Sequence, residues 1–257
     1  MNGRAQLVAL KAILRKEVLR FARIWVQTIL PPMIGTALYY VIFGRLIGSQ
    51  INDVHGFHYM DYIVPGLILM AVITNSYANV VASFYSAKFQ RSIEEMLVSP
   101  LPNYIIVLGF VGGGVARGIA VGAAVAVVSF FFTAIPLHNG WVAISVLLLT
   151  SVLFSLGGLI NAIYANSFDD ITVIPNFVLT PLTYLGGVFY TVAMLPSFWQ
   201  SVSMANPVLY MVNAFRYGLL GVSDVNLGVA YAAIFGFIAI MSWFALYLLK
   251  RGYGVRA

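Results

Sequence analysis

Few side chains in this 257-residue sequence are equipped for chemistry, and they are scattered. There is no cysteine, which excludes thiol nucleophiles, thiolate metal centres and disulfides without specifying a compartment. The three histidines are His55, His58 and His138. Two of them, with Asp53 and Asp61, make up the one cluster of metal-ligating types. It lacks HExxH spacing and a dense carboxylate set, so an ordinary polar loop is the preferred reading. The lysines, Lys11, Lys16, Lys88 and Lys250, follow Leu10, Arg15, Ala87 and Leu249, so no Gly-Lys-Ser/Thr phosphate loop exists. Gly112-Gly113-Gly114 has no lysine behind it and reads as a packing feature. The chain is expected to hydrolyse no ATP, to have no catalytic residue and to hold neither metal nor cofactor.

The elements that position anything else are membrane elements. Hydrophobic residues make up 61% of the chain and charged ones 9%, against about 25% charge in soluble domains; mean hydropathy is +0.93. The apolar runs are continuous, which points to helices and not to a β-barrel. The net charge of +6 sits beside these runs. That placement suits topology and anionic lipid, and no nucleic-acid partner is expected. The first apolar run is too long for a cleavable signal and reads as a retained span.

The expected fold is all-α and integral to the membrane, one domain over residues 1–257 with six transmembrane helices. Residues 4–23 form a basic amphipathic helix on the membrane surface, with Leu7, Leu10, Leu14, Val18 and Phe21 on one face. Spans follow at 24–43, 62–84, 104–135, 141–164, 171–190 and 229–249. Pro31-Pro32 predicts a kink or break in the first. Gly114, Gly118, Gly122 and Ala126 form a small-residue ridge for close packing. A charged hairpin occupies 86–102. Residues 191–215, cut by Pro196 and Asn206-Pro207 into apolar pieces of half the ~20 residues a span needs, predict a re-entrant extracytoplasmic helical hairpin.

Arg117 admits two readings, an intramembrane functional charge or an arginine at the inner interface. The latter is preferred, because residues 118–135 still supply a full span. Counted from Gly118, no span contains Asp, Glu, Lys or Arg, which argues against an ion-coupled transporter. With both termini inside, twelve of the fourteen Lys and Arg face the cytoplasm, and only Arg45 and Arg216 lie outside.

Asn75 and Asn79 in the second span, with Thr180 and Thr183 in the fifth, are poor lipid-facing residues and are expected to line a route. Phe189, Tyr190, Asn206, Pro207 and Tyr210 are expected at its outer gate, although the aromatics equally fit an interfacial belt. The 86–102 hairpin combines both charge signs with an apolar edge. Arg91, Ile93, Glu94, Glu95, Met96 and Leu97 are its expected docking residues.

That hairpin, in Glu94-Glu95-Met96-Leu97-Val98-Ser99-Pro100-Leu101, resembles the coupling segment of ABC-2-type permeases. The order Pro181, Gly186-Gly187-Val188-Phe189, Leu195-Pro196, Asn206-Pro207, Tyr210 and Arg216 resembles the same family, and the likeness covers essentially the whole chain. Many members have Gly-Thr where this chain has Arg91-Ser92. The resemblance implies an exporter half in the bacterial inner membrane. It would pair with a second copy and with a separate ATPase subunit amid membrane lipids, with the route between the two permeases. A polysaccharide or lipopolysaccharide exporter of the same family, and a non-transporting membrane scaffold, are the alternatives.

Overall fold

Backbone polar groups inside a bilayer have no water to bond with and must be satisfied within their own segment. The computed structural model describes residues 2–47, 53–134 and 136–254, and among these it is helical throughout, with a lone β-bridge between Val54 and Phe57. In order come α1 (Gly3–Arg23), α2 (Trp25–Tyr39) with a π-helical extension (Tyr40–Ile47), α3 (Tyr59–Phe89), α4 (Ser92–Val98), α5 (Asn103–Ser129) and α6 (Gly140–Tyr164). Then come α7 (Asp170–Ile174), a π-helical turn (Pro175–Leu179), α8 (Thr180–Tyr184), a 3₁₀ turn (Val192–Met194), α9 (Ser197–Met204), α10 (Pro207–Leu220) and α11 (Leu227–Arg251). Five helical segments, those of α2, α3, α5, α6 and α11, are long and apolar enough to cross a membrane.

Local sequence explains most boundaries. Asn139, Asn206 and Asn226 cap α6, α10 and α11 by accepting hydrogen bonds from the first-turn amides of Val142, Val208 and Gly228. Gly221 and Gly252 close α10 and α11 in the left-handed conformation that a side chain resists. Ser167 and Asp170 make a reciprocal capping box before α7: the Ser167 hydroxyl accepts from the Asp170 amide, and the Asp170 carboxylate accepts from the Ser167 and Asn166 amides. These bonds hold the Asp170 carboxyl below its ordinary range.

Several expected boundaries shift. Pro31-Pro32 does not break α2, which runs through both; the irregularity lies later, in the π segment from Tyr40. The third span begins at Asn103 and ends at Ser129, so Arg117 is its fifteenth residue of 27, close to mid-helix and not at its start. The expectation of spans empty of charge is corrected with it. The 171–190 stretch is three short pieces, because Pro181 has no amide to donate four residues back and its ring crowds that carbonyl. Ser49 in the 44–61 loop, Ile135 at the end of the expected third span, and Arg256 lie outside the described residues.

The centre of the bundle is α3, packed against α5 and α6 along most of its length and against α10 at one end. At the α4 end, the Lys88 ammonium donates to the carbonyls of Ile163 and Ala165 at 2.8 and 2.6 Å, and Phe168 packs edge-on against Tyr85 and Phe89. At the opposite end, the His138 and Asn139 amides donate to Leu219 and Gly218 at the close of α10. The other end of α10, at Pro207, lines a pocket with Leu153 and Phe154 near the middle of α6. Helix α1 runs beside α5 in the same direction: Tyr104 bonds Gln6, and Gly109 and Gly113 face Ile13 and Glu17.

The small-residue ridge is what lets three long helices meet. A Cβ on Gly114 would stand 2.3 Å from the Ser155 hydroxyl of α6, and one on Gly118 would stand 2.0 Å from that of Ser76 on α3. Gly236 on α11, by contrast, has open space around it. Gly118→Leu should therefore destabilise the chain by about 2 kcal/mol or more through overpacking. Gly236→Leu should leave the melting temperature in detergent unchanged or slightly raised. Equal melting temperatures for the two variants would contradict this packing.

Candidate functional site

The stretch between α8 and the 3₁₀ turn has no helical amides to donate to its carbonyls, and side chains of α3 and α10 supply the donors. The Tyr59 hydroxyl donates to Phe189 O at 2.9 Å and that of Tyr62 to Tyr190 O at 3.4 Å. Arg216, fully buried, donates to Gly187 O at 2.6 Å and to Asn213 Oδ1 at 3.4 Å. Its guanidinium carbon lies 3.9 Å from the centre of the Tyr62 ring, a stacked cation–π contact. Asn213 Oδ1 also accepts from the Asp224 amide, and the Asp224 carboxylate accepts from the Val192 amide and meets His55 Nε2 at 3.1 Å.

This frame sets the aromatic side chains. Phe189 touches Tyr39, Phe43 and Tyr184 at ring separations of 5.6, 5.1 and 6.0 Å, and the Tyr39 and Tyr184 hydroxyls bond at 3.0 Å. Asn206 does two jobs: beyond capping α10, its amide nitrogen donates to Leu182 O at 2.7 Å and so ties α10 to α8. Thr180 and Thr183 bond back to carbonyls of their own segment, those of Pro175 and Thr180. Thr180 is exposed, whereas Thr183 is buried. Tyr210, half-buried, bonds Met204 O. Seven of the nine expected path residues thus gather at or near the α10 end.

The other two sit deeper. Asn79, with no exposed surface, holds α1: Arg20 donates to its Oδ1 at 2.7 Å and to its carbonyl at 3.0 Å. Arg20 also meets the Glu17 carboxylate at 3.4 Å, and Ser83 donates to Glu17 at 2.7 Å. Glu17 is fully buried, opposite Gly113, where any Cβ would strike it. The bundle-facing stripe of α1 is therefore Ile13, Glu17 and Phe21, while Leu7 and Val18 of the expected apolar face are exposed. Sequence reading missed Glu17 and the burial of Arg216. The signal for Glu17 was a lone acid in a helix of six cations, four residues from Ile13 and from Phe21.

Asn75 accepts from Arg117 at 3.1 Å and lines a pocket of about 170 Å³ between α2 and α3. The same pocket reaches Tyr39 and, through it, Phe189, which joins Asn75 to the outer aromatic group. In α4, Ile93 is buried and pins the helix to α3, while Arg91, Glu95 and Val98 are exposed and Glu94, Met96 and Leu97 are partly so. Arg91 adopts a left-handed backbone in the two-residue turn between α3 and α4. The expected loop cluster separates: His58 bonds Asp53, His55 turns to Asp224 and Asp61 pairs with Thr133. Among the described residues no three metal-ligating side chains converge.

Residues 8–220, most of the chain and all of this arrangement but Asp224, match the sequence profile of the ABC-2 type transporter family. The chain belongs to that family. It is 55% identical, over 97% of its own length and 98% of the relative's, to the inner membrane transport permease YadH of Escherichia coli K12. It is also 24% identical to nodulation protein J of Rhizobium meliloti, over 93% of this chain and 92% of that one. As an ABC-2 protein it is a membrane permease subunit of an ABC transporter.

The Glu17–Arg20 pair gives a quantitative expectation. Removing one partner of a buried pair strands the other, whereas removing both is far milder. Because Arg20 keeps about a third of its side chain exposed, Glu17→Ala should cost about 2 kcal/mol rather than the full buried-pair penalty. Glu17→Met with Arg20→Met should recover at least half of that in thermal unfolding of the purified chain. Strictly additive losses would mean the two residues are not coupled.

Proposed function

We propose that this permease forms half of an exporter in a bacterial inner membrane, paired with a second copy and driven by a separate ATPase subunit. The observation that carries the reading is the uncovered face of α7, its π turn and α8. Phe177, Asn176 and Thr180 are exposed there, beside a backbone interrupted by Pro175 and Pro181. Irregular backbone at membrane depth needs protein or a water-filled cavity around it, and α2, equally uncovered, flanks the same side of the Phe189 cluster. A second copy across α2 and α7–α8 supplies the cover, and the route runs between the two.

Six spans account for the geometry: α2, α3, α5, α6, the α7–α8 segment and α11. The α7–α8 segment, about 22 Å at 1.5 Å per residue, is short for a crossing alone. Helix α10, starting level with mid-α6 and ending beside its first residues, suits a hairpin that dips in and returns. Arg4, Lys11, Arg15 and Lys16 of α1, with Lys88, Arg91, Lys250 and Arg251, lie at or toward the α4 end, which is cytoplasmic by the positive-inside rule. The α4 helix then faces the ATPase, with Ile93 as its internal pin and Arg91, Glu94 and Glu95 setting register against complementary charge.

Two measurements test this. The chain has no native cysteine, so Phe177→Cys should crosslink between copies in membranes, while Phe235→Cys on α11 should not; the reverse pattern overturns the interface. Glu95→Lys should lower co-purification or stimulation of the ATPase about tenfold, with Lys250→Ala as the control. A Glu95 variant indistinguishable from Lys250→Ala would remove α4 from the coupling role, and a chain that captures no P-loop ATPase at all would favour a scaffold.

A further inference from the structure

Among the described residues three arginines reach into the bundle, and two of them have more than one acceptor. Arg20 has the Glu17 carboxylate and two acceptors on Asn79. Arg216 has a carbonyl, an amide oxygen and an aromatic face. Arg117 has one neutral acceptor, Asn75 Oδ1, and no carboxylate. Its Nε is buried without a partner among the described residues, as is that of Arg216, but Arg117 has no second acceptor and no ring beside it, and the charge that bears on it is a like one, that of Arg20. The one acid nearby, Glu17, is already taken by Arg20 and Ser83.

Depth sharpens the mismatch. Arg117 lies about 21 Å along α5 from Asn103 and about 18 Å from Ser129, at the middle of the helix. Cations at that depth are paired or serve a passage. Asn75, its single partner, lines the pocket between α2 and α3 and links the guanidinium to it; the rest of that wall is apolar apart from the hydroxyls of Thr36, Tyr39 and Thr74. A planar guanidinium with unused donors suits an oxyanion in bidentate contact, and the apolar wall beside it suits hydrocarbon.

We infer that Arg117 and Asn75 form an anion-recognition site for an amphiphile, taking a phosphate or carboxylate oxyanion at Arg117 and its apolar part in the adjoining pocket. The inference rests on the permease reading for its meaning, since it assigns an anionic class of cargo or lipid to the route, but its test needs neither transport nor ATPase.

The test measures binding of a short-chain fluorescent phosphatidylglycerol to the purified full-length chain in nonionic detergent by anisotropy, with the phosphatidylcholine analogue in parallel. The wild type should prefer phosphatidylglycerol about tenfold, and Arg117→Gln should lose that preference. Arg15→Gln, an exposed cation on α1, should keep it, which separates the site from general surface charge. Asn75→Asp provides a second reading that does not remove the arginine. By supplying an internal counter-ion it should raise the melting temperature and abolish the preference, whereas for a purely structural arginine only the melting temperature would move. Full preference retained in Arg117→Gln overturns the proposal, as does a wild type with no preference; if Arg117→Gln does not fold, full preference in Asn75→Asp overturns it alone. Competition by excess inorganic phosphate would assign the contact to the phosphate itself, and no competition to the amphiphile as a whole; either result retains an anion site at Arg117. Phosphatidylglycerol binding at Arg117 without export in cells would sink the exporter reading and leave the site standing.

Discussion

The carbonyls of Gly187, Phe189 and Tyr190 stand in a turn that no helix completes, at an end of the bundle where an unpartnered carbonyl is costly. Arg216, Tyr59 and Tyr62 donate to all three. This one arrangement fixes much else: it locks α10 to α3, sets the distance between α8 and the 3₁₀ turn, and presents Phe189 to Tyr39 and Tyr184. Arg216 cannot leave without freeing a carbonyl and uncovering an aromatic face at once. Its burial is compensated by neutral acceptors and a ring rather than by an acid. The charge therefore remains with the protein, and Asp224 reaches it only through Asn213.

A second polar group, at the α1 side, follows a different rule. Glu17 and Arg20 neutralise one another inside the bundle and fasten the first helix to α3 through Ser83 and Asn79, while Gly113 of α5 packs on Glu17. The helix that begins the chain is thereby a packed element on one side and an apolar, lipid-compatible one on the other, with Leu7, Val8, Val18 and Leu19 exposed. Any movement of α3 or α5 is felt in α1, and α3 leads directly through the Gln90–Arg91 turn into α4. The short helix α4 is thus continuous, through that two-residue turn, with the same helix that carries Tyr59, Tyr62 and Asn75.

Membrane class and the approximate helices were legible because they follow from local physics: a continuous apolar run and a small residue every fourth position. The ridge on α5 and the boundaries of α6 and α11 needed nothing distant. The path candidates were legible by type only. Asn79 has the composition of a lining residue, yet its partner is Arg20, 59 positions earlier; nothing near it in sequence announces that pairing. The α5 boundaries misled for the opposite reason, since an apolar run extends past Ser129 and a count from Gly118 found enough residues for a span.

What the sequence determined alone is the helical membrane fold, the asymmetry of positive charge and the family. These depend on composition, period and motif order, which are properties of neighbours along the chain. Only the tertiary structure decided which charges are buried and what each one meets. Glu17 is buried because α5 presents Gly113 to it. Arg216 is buried because a turn 29 residues earlier leaves a carbonyl facing it. Arg117 is left short of partners because the acid that could have matched it is held by Arg20. Charge inside a low-dielectric bundle is settled by which side chains the packing brings within about 3 Å, and that distance is not written in the spacing of residues along the chain.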